Sequence, residues 1–110
     1  MFNYTAHVDR VIDGDTVDVS IDLGFDIWHK VRLRLNGLDT PEKNTELGKT
    51  VAAFVKSELE GKDIVISTLK PDKYGRYLVE ITKDGASFNK MLIDKGYAHP
   101  YDGGKKIAWS

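Results

Sequence analysis

The stretch Val11–Glu42, VIDGDTVDVSIDLGFDIWHKVRLRLNGLDTPE, decides the fold. Within it, Thr16-Val17-Asp18-Val19-Ser20-Ile21-Asp22 alternates apolar and polar residues strictly, as a strand with one buried face does. A turn with Gly24 follows at Leu23 to Asp26. Val31-Arg32-Leu33-Arg34-Leu35 then alternates again, and a third strand is read from Ile27 to Leu38, bulged near Asn36-Gly37. Pro41 ends it. Upstream, Tyr4 to Val8 alternates weakly and reads as the first strand, with a turn at Asp13-Gly14-Asp15 after Val11-Ile12.

Downstream, Thr45 to Glu60 reads as a helix. Leu47, Val51, Phe54, Val55 and Leu59 fall at i, i+4, i+7, i+8 and i+12, one apolar stripe. Thr45 suits the N-cap and Gly61 the C-terminal stop. Asp63 to Leu69, rich in Ile and Val, is a fourth strand. Pro71 to Gly75 is a loop, Tyr77 to Thr82 a fifth strand, and Asp84-Gly85 a hairpin turn. Ser87 caps a short helix that turns Phe88, Met91 and Leu92 inward, and Gly96 closes it. Three strands, a helix, two strands and a second helix make a mainly β, α+β chain. The architecture expected is a five-stranded OB-type β-barrel with two helices.

Composition bounds the rest. The 110 residues suit one domain, residues 1–110, with its own core. No cysteine is present, which excludes a disulfide framework, a thiolate nucleophile and a zinc–thiolate site. With 41% apolar and 30% charged residues the balance is globular. A net charge of −1, from 16 basic against 17 acidic residues, excludes a broadly basic protein that coats nucleic acid. It leaves room for a local site. No apolar run reaches the length of a membrane span, so no membrane partner is expected. The first ten residues carry no secretory signal, which leans toward an intracellular protein.

Two clusters hold candidate chemistry: Asp13-Gly14-Asp15-Thr16, and Arg34 with Asp39-Thr40-Pro41-Glu42. Asp15, Asp39 and Glu42 offer hard carboxylate oxygens, which suit Ca²⁺ or Mg²⁺ better than softer metals. Each piece alone has a plain structural reading, a common turn and a strand exit with a capping acid. The first is not an EF-hand loop, because its glycine lies between the acids. Arg34 is in phase with Arg32 and out of phase with Leu33 and Leu35. If the leucines face the core, both arginines point out. A guanidinium matches phosphate with a planar fork that lysine lacks. Arg76 closes the loop Asp72-Lys73-Tyr74-Gly75. Phosphodiester hydrolysis asks for this set: a metal that neutralises phosphate and binds water, a carboxylate that takes a proton, and guanidinium groups that hold charge on phosphoryl oxygens.

Taken together, the sequence resembles the staphylococcal nuclease (thermonuclease) family. The likeness rests on Val11-Ile12-Asp13-Gly14-Asp15-Thr16, on Arg34 with Asp39-Thr40-Pro41-Glu42, on Asp72-Lys73-Tyr74-Gly75-Arg76, and on Asn89 to Ala98. It covers about Val8 to Ala98. Three ordered motifs at compatible spacing are far more specific than any one of them. The resemblance implies a five-stranded OB barrel that hydrolyses DNA and/or RNA with Ca²⁺ and leaves 3′-phosphate ends. It implies that Asp15 and Asp39 bind Ca²⁺ with the Thr40 carbonyl. Glu42 then matches the general base, and Arg34 and Arg76 the phosphate-binding arginines. Tyr74 lies near the nucleotide, and Lys73 is a phosphate contact. A monomer is expected.

The sequence also departs from that pattern. Only Lys43 to Glu46 separate Glu42 from Leu47, where the nuclease has a long lysine-bearing loop. Phe25 to Lys30 is longer than in the nuclease, and Ile27-Trp28 is expected to project as a hairpin. The nuclease ends in a third helix; here that helix is expected to be short or absent, with Trp109 as a packing anchor. Trp28 reads as a strand or core residue before a nucleotide platform. His7, His29 and His99 lack metal-ligand spacing. Lys105 and Lys106 read as a solvated tail. The rival to a nuclease is a non-catalytic OB-fold module that binds nucleic acid or protein. Against it, all six candidate positions carry the active residue type. The near-neutral charge also sharpens an expectation: without Ca²⁺, nucleic-acid binding should be weak.

Overall fold

Strict alternation in β2 (Thr16–Asp22) and β3 (Trp28–Leu35) produces an antiparallel hairpin in register from Thr16↔Arg34 to Asp22↔Trp28. Val17, Val19, Leu33 and Leu35 are fully buried on its inner face. In this computed structural model, the structure describes residues 2–71 and 77–101. The readings made on Lys73, Tyr74, Arg76, Lys105, Lys106 and Trp109 lie outside the described residues.

β1 (Phe2–Asp13) pairs antiparallel with both β2 and β5 (Asp63–Pro71). It is longer than the alternation predicts. Register shifts between Val8 and Arg10 and between Val11 and Asp13 explain why. Each bulge inserts a residue and moves the buried phase, so Ala6 and Val8 face the core and Val11 then does too. β6 (Tyr77–Lys83) pairs antiparallel with β5 and parallel with β3, from Leu33↔Tyr77 to Leu35↔Val79. That last pairing closes five strands into a barrel, as the five-stranded OB-type reading expects. A two-residue β7 (Ala86–Ser87) extends β6.

The third strand is shorter than the sequence suggests. It ends at Leu35, and Gly37 turns with φ +81°, a backbone region that favours glycine. The chain re-forms as β4 (Leu38–Asp39), which leaves the barrel and pairs with β8 (His99–Pro100). This break carries Asp39 and Thr40 across the outer face of β3.

Among the described residues, two helices cover the barrel. α1 (Glu46–Leu59) is capped by Thr45, whose hydroxyl accepts from the Gly48 N–H at 3.0 Å. Its buried face is Gly48, Val51, Val55 and Leu59. Leu47, read into the apolar stripe, is instead 39% exposed. Gly48 takes the buried position because the Glu42 carbonyl oxygen lies there, 1.7 Å from where a Cβ would stand. α2 (Phe88–Asp94) is capped by Ser87 as read, and buries Phe88, Asn89 and Leu92. Among the described residues no helix is long and apolar enough to cross a membrane.

Candidate functional site

Arg34 stands on the outer face of β3, beside Thr16 of β2. Strand alternation alone would leave it in solvent. Its side chain is instead only 11% exposed, because the Leu38–Thr40 segment and Tyr101 cover it. The guanidinium reaches Asp15 Oδ2 from Nη1 at 3.0 Å and Asp39 Oδ1 from Nη2 at 3.6 Å. Nη2 also donates to the Leu38 carbonyl at 3.2 Å. The ring of Tyr101 lies 5.9 Å from the guanidinium carbon, within cation–π range.

Asp15 is as tightly held. It follows the tight turn at Gly14, where an added Cβ would meet Val51 at 2.8 Å and the Thr40 hydroxyl at 2.9 Å. Only glycine lets this turn press against α1 and Thr40. The Asp15 main-chain N–H donates to Asp13 Oδ1 at 3.1 Å. Its carboxylate accepts from the Thr16 hydroxyl at 3.0 Å and from the Thr40 N–H at 3.4 Å. Burial would push its pKa up. The hydrogen bond shared with Asp13, the Arg34 charge, the Thr16 hydroxyl and the Thr40 amide outweigh burial, and hold it below the ordinary carboxylate value. Asp13 goes the other way. Burial, then the hydrogen bond and charge of Asp15, raise it from 3.8 to about 6. The cluster therefore carries more negative charge than one guanidinium neutralises.

These groups line an open pocket of about 110 Å³ between the Asp13–Thr16 turn, Arg34 and the Asp39–Lys43 segment. Asp15, Asp39 and Thr40 are buried, while Glu42 stands exposed at the rim. The Glu42 backbone is anchored: its carbonyl accepts from the Thr45 N–H at 3.0 Å and the Thr45 hydroxyl at 2.7 Å. So of the eight residues singled out in the sequence, the structure brings five together: Asp15, Arg34, Asp39, Thr40 and Glu42.

The donor chemistry fits a hard cation. Two buried carboxylates, with a main-chain carbonyl and water, are the oxygen ligands that Ca²⁺ or Mg²⁺ takes. Among the described residues, no three His, Cys, Asp or Glu side chains are close enough to hold an ion unaided. Such a cation would rest on Asp15, Asp39, the Thr40 carbonyl and water.

Sequence reasoning missed several contributors. Tyr101, which flanks Arg34, carries no motif. Asn89 is buried inside α2; its Oδ1 accepts from the Ile81 N–H at 3.1 Å, and Nδ2 donates to the Asn36 and Val79 carbonyls, each at 3.0 Å. It ties α2 to the turn that redirects β3 toward Asp39. The sequence marked it only as the first residue of the Asn89 to Ala98 stretch and as a polar residue between Phe88 and Leu92. Asp13 stood in a motif of the sequence but was given no role of its own.

A family model described as staphylococcal nuclease homologue matches residues 32–107. An uncharacterized endonuclease of Escherichia coli O157:H7 is 34% identical over 98 residues, which are 88% of this chain and 61% of that protein. Endonuclease YhcR of Bacillus subtilis is 32% identical over 113 residues, covering 89% of this chain and 9% of that protein. Staphylococcal-like nuclease CAN1 of Arabidopsis thaliana is 32% identical over 72 residues, 66% of this chain and 22% of that protein. The chain spans about three fifths or less of the length of these relatives.

Proposed function

The chain belongs to the staphylococcal nuclease homologue family, and on that basis we propose that it is a Ca²⁺-dependent nuclease cutting DNA and/or RNA to leave 3′-phosphate ends. The observation that carries this reading is the buried guanidinium of Arg34 set between Asp15 and Asp39, with Glu42 at the rim of the same pocket.

Asp15, Asp39 and the Thr40 carbonyl would hold the cation, which supplies charge neutralisation and an acidified water. The protein's own groups do the rest. Glu42 is exposed at the rim and its backbone carbonyl is held by Thr45; its carboxylate would take the proton of an attacking water. Arg34 offers a rigid fork to phosphoryl oxygens as charge builds there. In the structure that fork faces the two carboxylates that a cation would also seek. A cation held by Asp15 and Asp39 would share those oxygens with the guanidinium, so Arg34 would have more of its fork free for phosphate. By the likeness of its motif to the family's, Arg76 would be the second phosphate-binding arginine, and Lys73 and Tyr74 would serve the nucleotide.

The test is release of acid-soluble nucleotides from single- and double-stranded DNA and from RNA, with Ca²⁺ and with chelator, and analysis of the 3′ ends. Release with Ca²⁺ only, leaving 3′-phosphates, is expected. A folded protein that binds nucleic acid but releases nothing with Ca²⁺ is a binding module instead. Arg76→Ala is expected to lower the rate on the order of 100-fold or more. A drop under about threefold removes Arg76 from catalysis.

A further inference from the structure

We propose that the outer face of β3, from Arg34 out to Trp28, is a track for single-stranded nucleic acid leading away from the cutting pocket. This deepens the nuclease reading and rests on it.

The strand places Trp28, Lys30, Arg32 and Arg34 on one face, opposite the buried Leu33 and Leu35. Successive members stand about 6.6 Å apart and the row runs for about 20 Å, at the usual rise of a strand. That spacing is comparable to the step between phosphates of an extended single strand. The inner end is Arg34 in the pocket. Next come Arg32 and Lys30, both exposed, and then Trp28, which is 53% exposed at the outer end. Trp28, read from sequence as a strand or core residue before a nucleotide platform, lies in β3 and outside the core. It pairs with Asp22 at the far end of the hairpin, beyond the buried Ile21. A cationic groove with an aromatic platform is how proteins hold single strands without reading their sequence.

The acids beside this row are each engaged by a neighbouring donor, Asp18 and Asp22 within the hairpin and Asp9 of β1 by Ser20. Asp22, opposite Trp28, accepts from the Gly24 N–H at 2.8 Å. Asp18, opposite Arg32, accepts from Arg32 Nε at 2.8 Å and Nη2 at 3.2 Å. Ser20, opposite Lys30, is buried and donates to Asp9 at 2.7 Å. The two Asp18 bonds orient the guanidinium of Arg32 and also compete with phosphate for it. The hairpin tip adds exposed Leu23, Phe25 and Ile27. Unlike a tip built only to enter a bilayer, it carries Asp26 among them and leads into a cationic row.

The experiment measures binding of labelled single-stranded DNA by fluorescence anisotropy, in chelator and at low salt, where the strand is not cut. Oligonucleotides of about twelve and about three nucleotides separate the track from the pocket, since only the longer reaches Trp28. The long strand is expected to bind about tenfold tighter than the short one. Trp28→Ala should lose about tenfold on the long strand, and Trp28→Phe should keep most of the affinity. Lys30→Ala should weaken long-strand binding and flatten its salt dependence. Asp18→Asn should tighten it, because Arg32 is released; a merely structural role for the Asp18–Arg32 pair predicts no gain. Equal affinity in Trp28→Ala and the parent overturns the track, as does looser binding by Asp18→Asn. Vesicle binding or self-association lost in Trp28→Ala, with strand binding unchanged, also overturns it and assigns the tip to that partner. Nucleotide release by the parent with Ca²⁺ is read separately. A parent that cuts while Trp28→Ala binds normally loses only the track, whereas a parent that never cuts loses the nuclease reading.

Discussion

Arg32 and Arg34 lie two residues apart on one face of one strand, and each meets an aspartate of the neighbouring hairpin arm or turn. Their surroundings separate them. Arg32 is half exposed and grips Asp18 through two bonds, which hold the Asp18 carboxyl below its ordinary pKa. Water can replace either partner, so the pair adds little to stability. Arg34 is covered by the Leu38–Thr40 segment and Tyr101, and the carboxylates it meets are buried with it. There a lost partner leaves a charge with no water to turn to. The same residue type in the same strand phase is thus a surface ion pair at one position and the centre of a site at the next.

The sharpest way to break this contrast is Arg34→Ala. Without metal it should cost about 3 kcal/mol or more in urea denaturation, because Asp15 and Asp39 stay buried and mutually repelling. Ca²⁺ should return part of that loss, since the cation takes the place of the missing charge. An Arg34→Ala protein as stable as its parent in chelator would put Arg34 in the same class as Arg32. The next test acts on the cover. Gly48→Ala usually helps a helix by up to about 1 kcal/mol, yet here it should cost about 2 kcal/mol, because the new methyl group strikes the Glu42 carbonyl. Thermal melts decide the sign, and nuclease activity should fall as Glu42 shifts. Asn89→Ala should cost about 2 kcal/mol by leaving the Ile81 N–H and the Asn36 and Val79 carbonyls without this partner.

A smaller effect depends on pH. In the metal-free protein the Asp13 carboxyl titrates at about 6, above its ordinary 3.8. The folded state then holds the proton more tightly than the unfolded state, so the Asp13 contribution falls as pH rises from about 4 through about 6. Asp13→Asn keeps an oxygen for the Asp15 N–H and removes the titration. It should therefore raise the melting temperature at pH 7.5 and change it little at pH 4. An equal shift at both values would dismiss the charge argument. Smallest of all, Arg32→Ala should leave the melting temperature where it is, and a large drop there would erase the distinction between the two arginines.

Much of this was written in local pattern. β2, the inner half of β3 and α1 with its Thr45 cap follow from periodicity, because one buried face imposes a period. Asp15, Asp39 and Thr40 were singled out because their motifs, taken together, resemble those of the staphylococcal nuclease family; the turn and the strand exit alone have a plain structural reading. What stayed hidden depends on contacts between distant segments. The bulges of β1 shift its phase and so erase the alternation a reader would count. The break at Gly37 looked like a bulge, since its consequence, pairing of β4 with β8, involves residues 60 positions away. The cover over Arg34 and the bonds of Asn89 are equally non-local. Leu47 shows the opposite error. Its place in the stripe was right by spacing, but the Glu42 carbonyl makes the first turn a position for glycine.

The proposed catalysis depends on the fork of Arg34, and Arg34→Lys removes that fork while keeping the charge. The lysine keeps the positive charge between Asp15 and Asp39 but cannot present two parallel donors to phosphate. Release of acid-soluble nucleotides with saturating Ca²⁺ is measured for the parent, Arg34→Lys and Arg34→Ala. The account predicts a parent active with Ca²⁺ and silent in chelator, and a lysine variant that stays folded yet on the order of 100-fold slower, close to the alanine variant. A lysine variant that cuts as fast as the parent would contradict it.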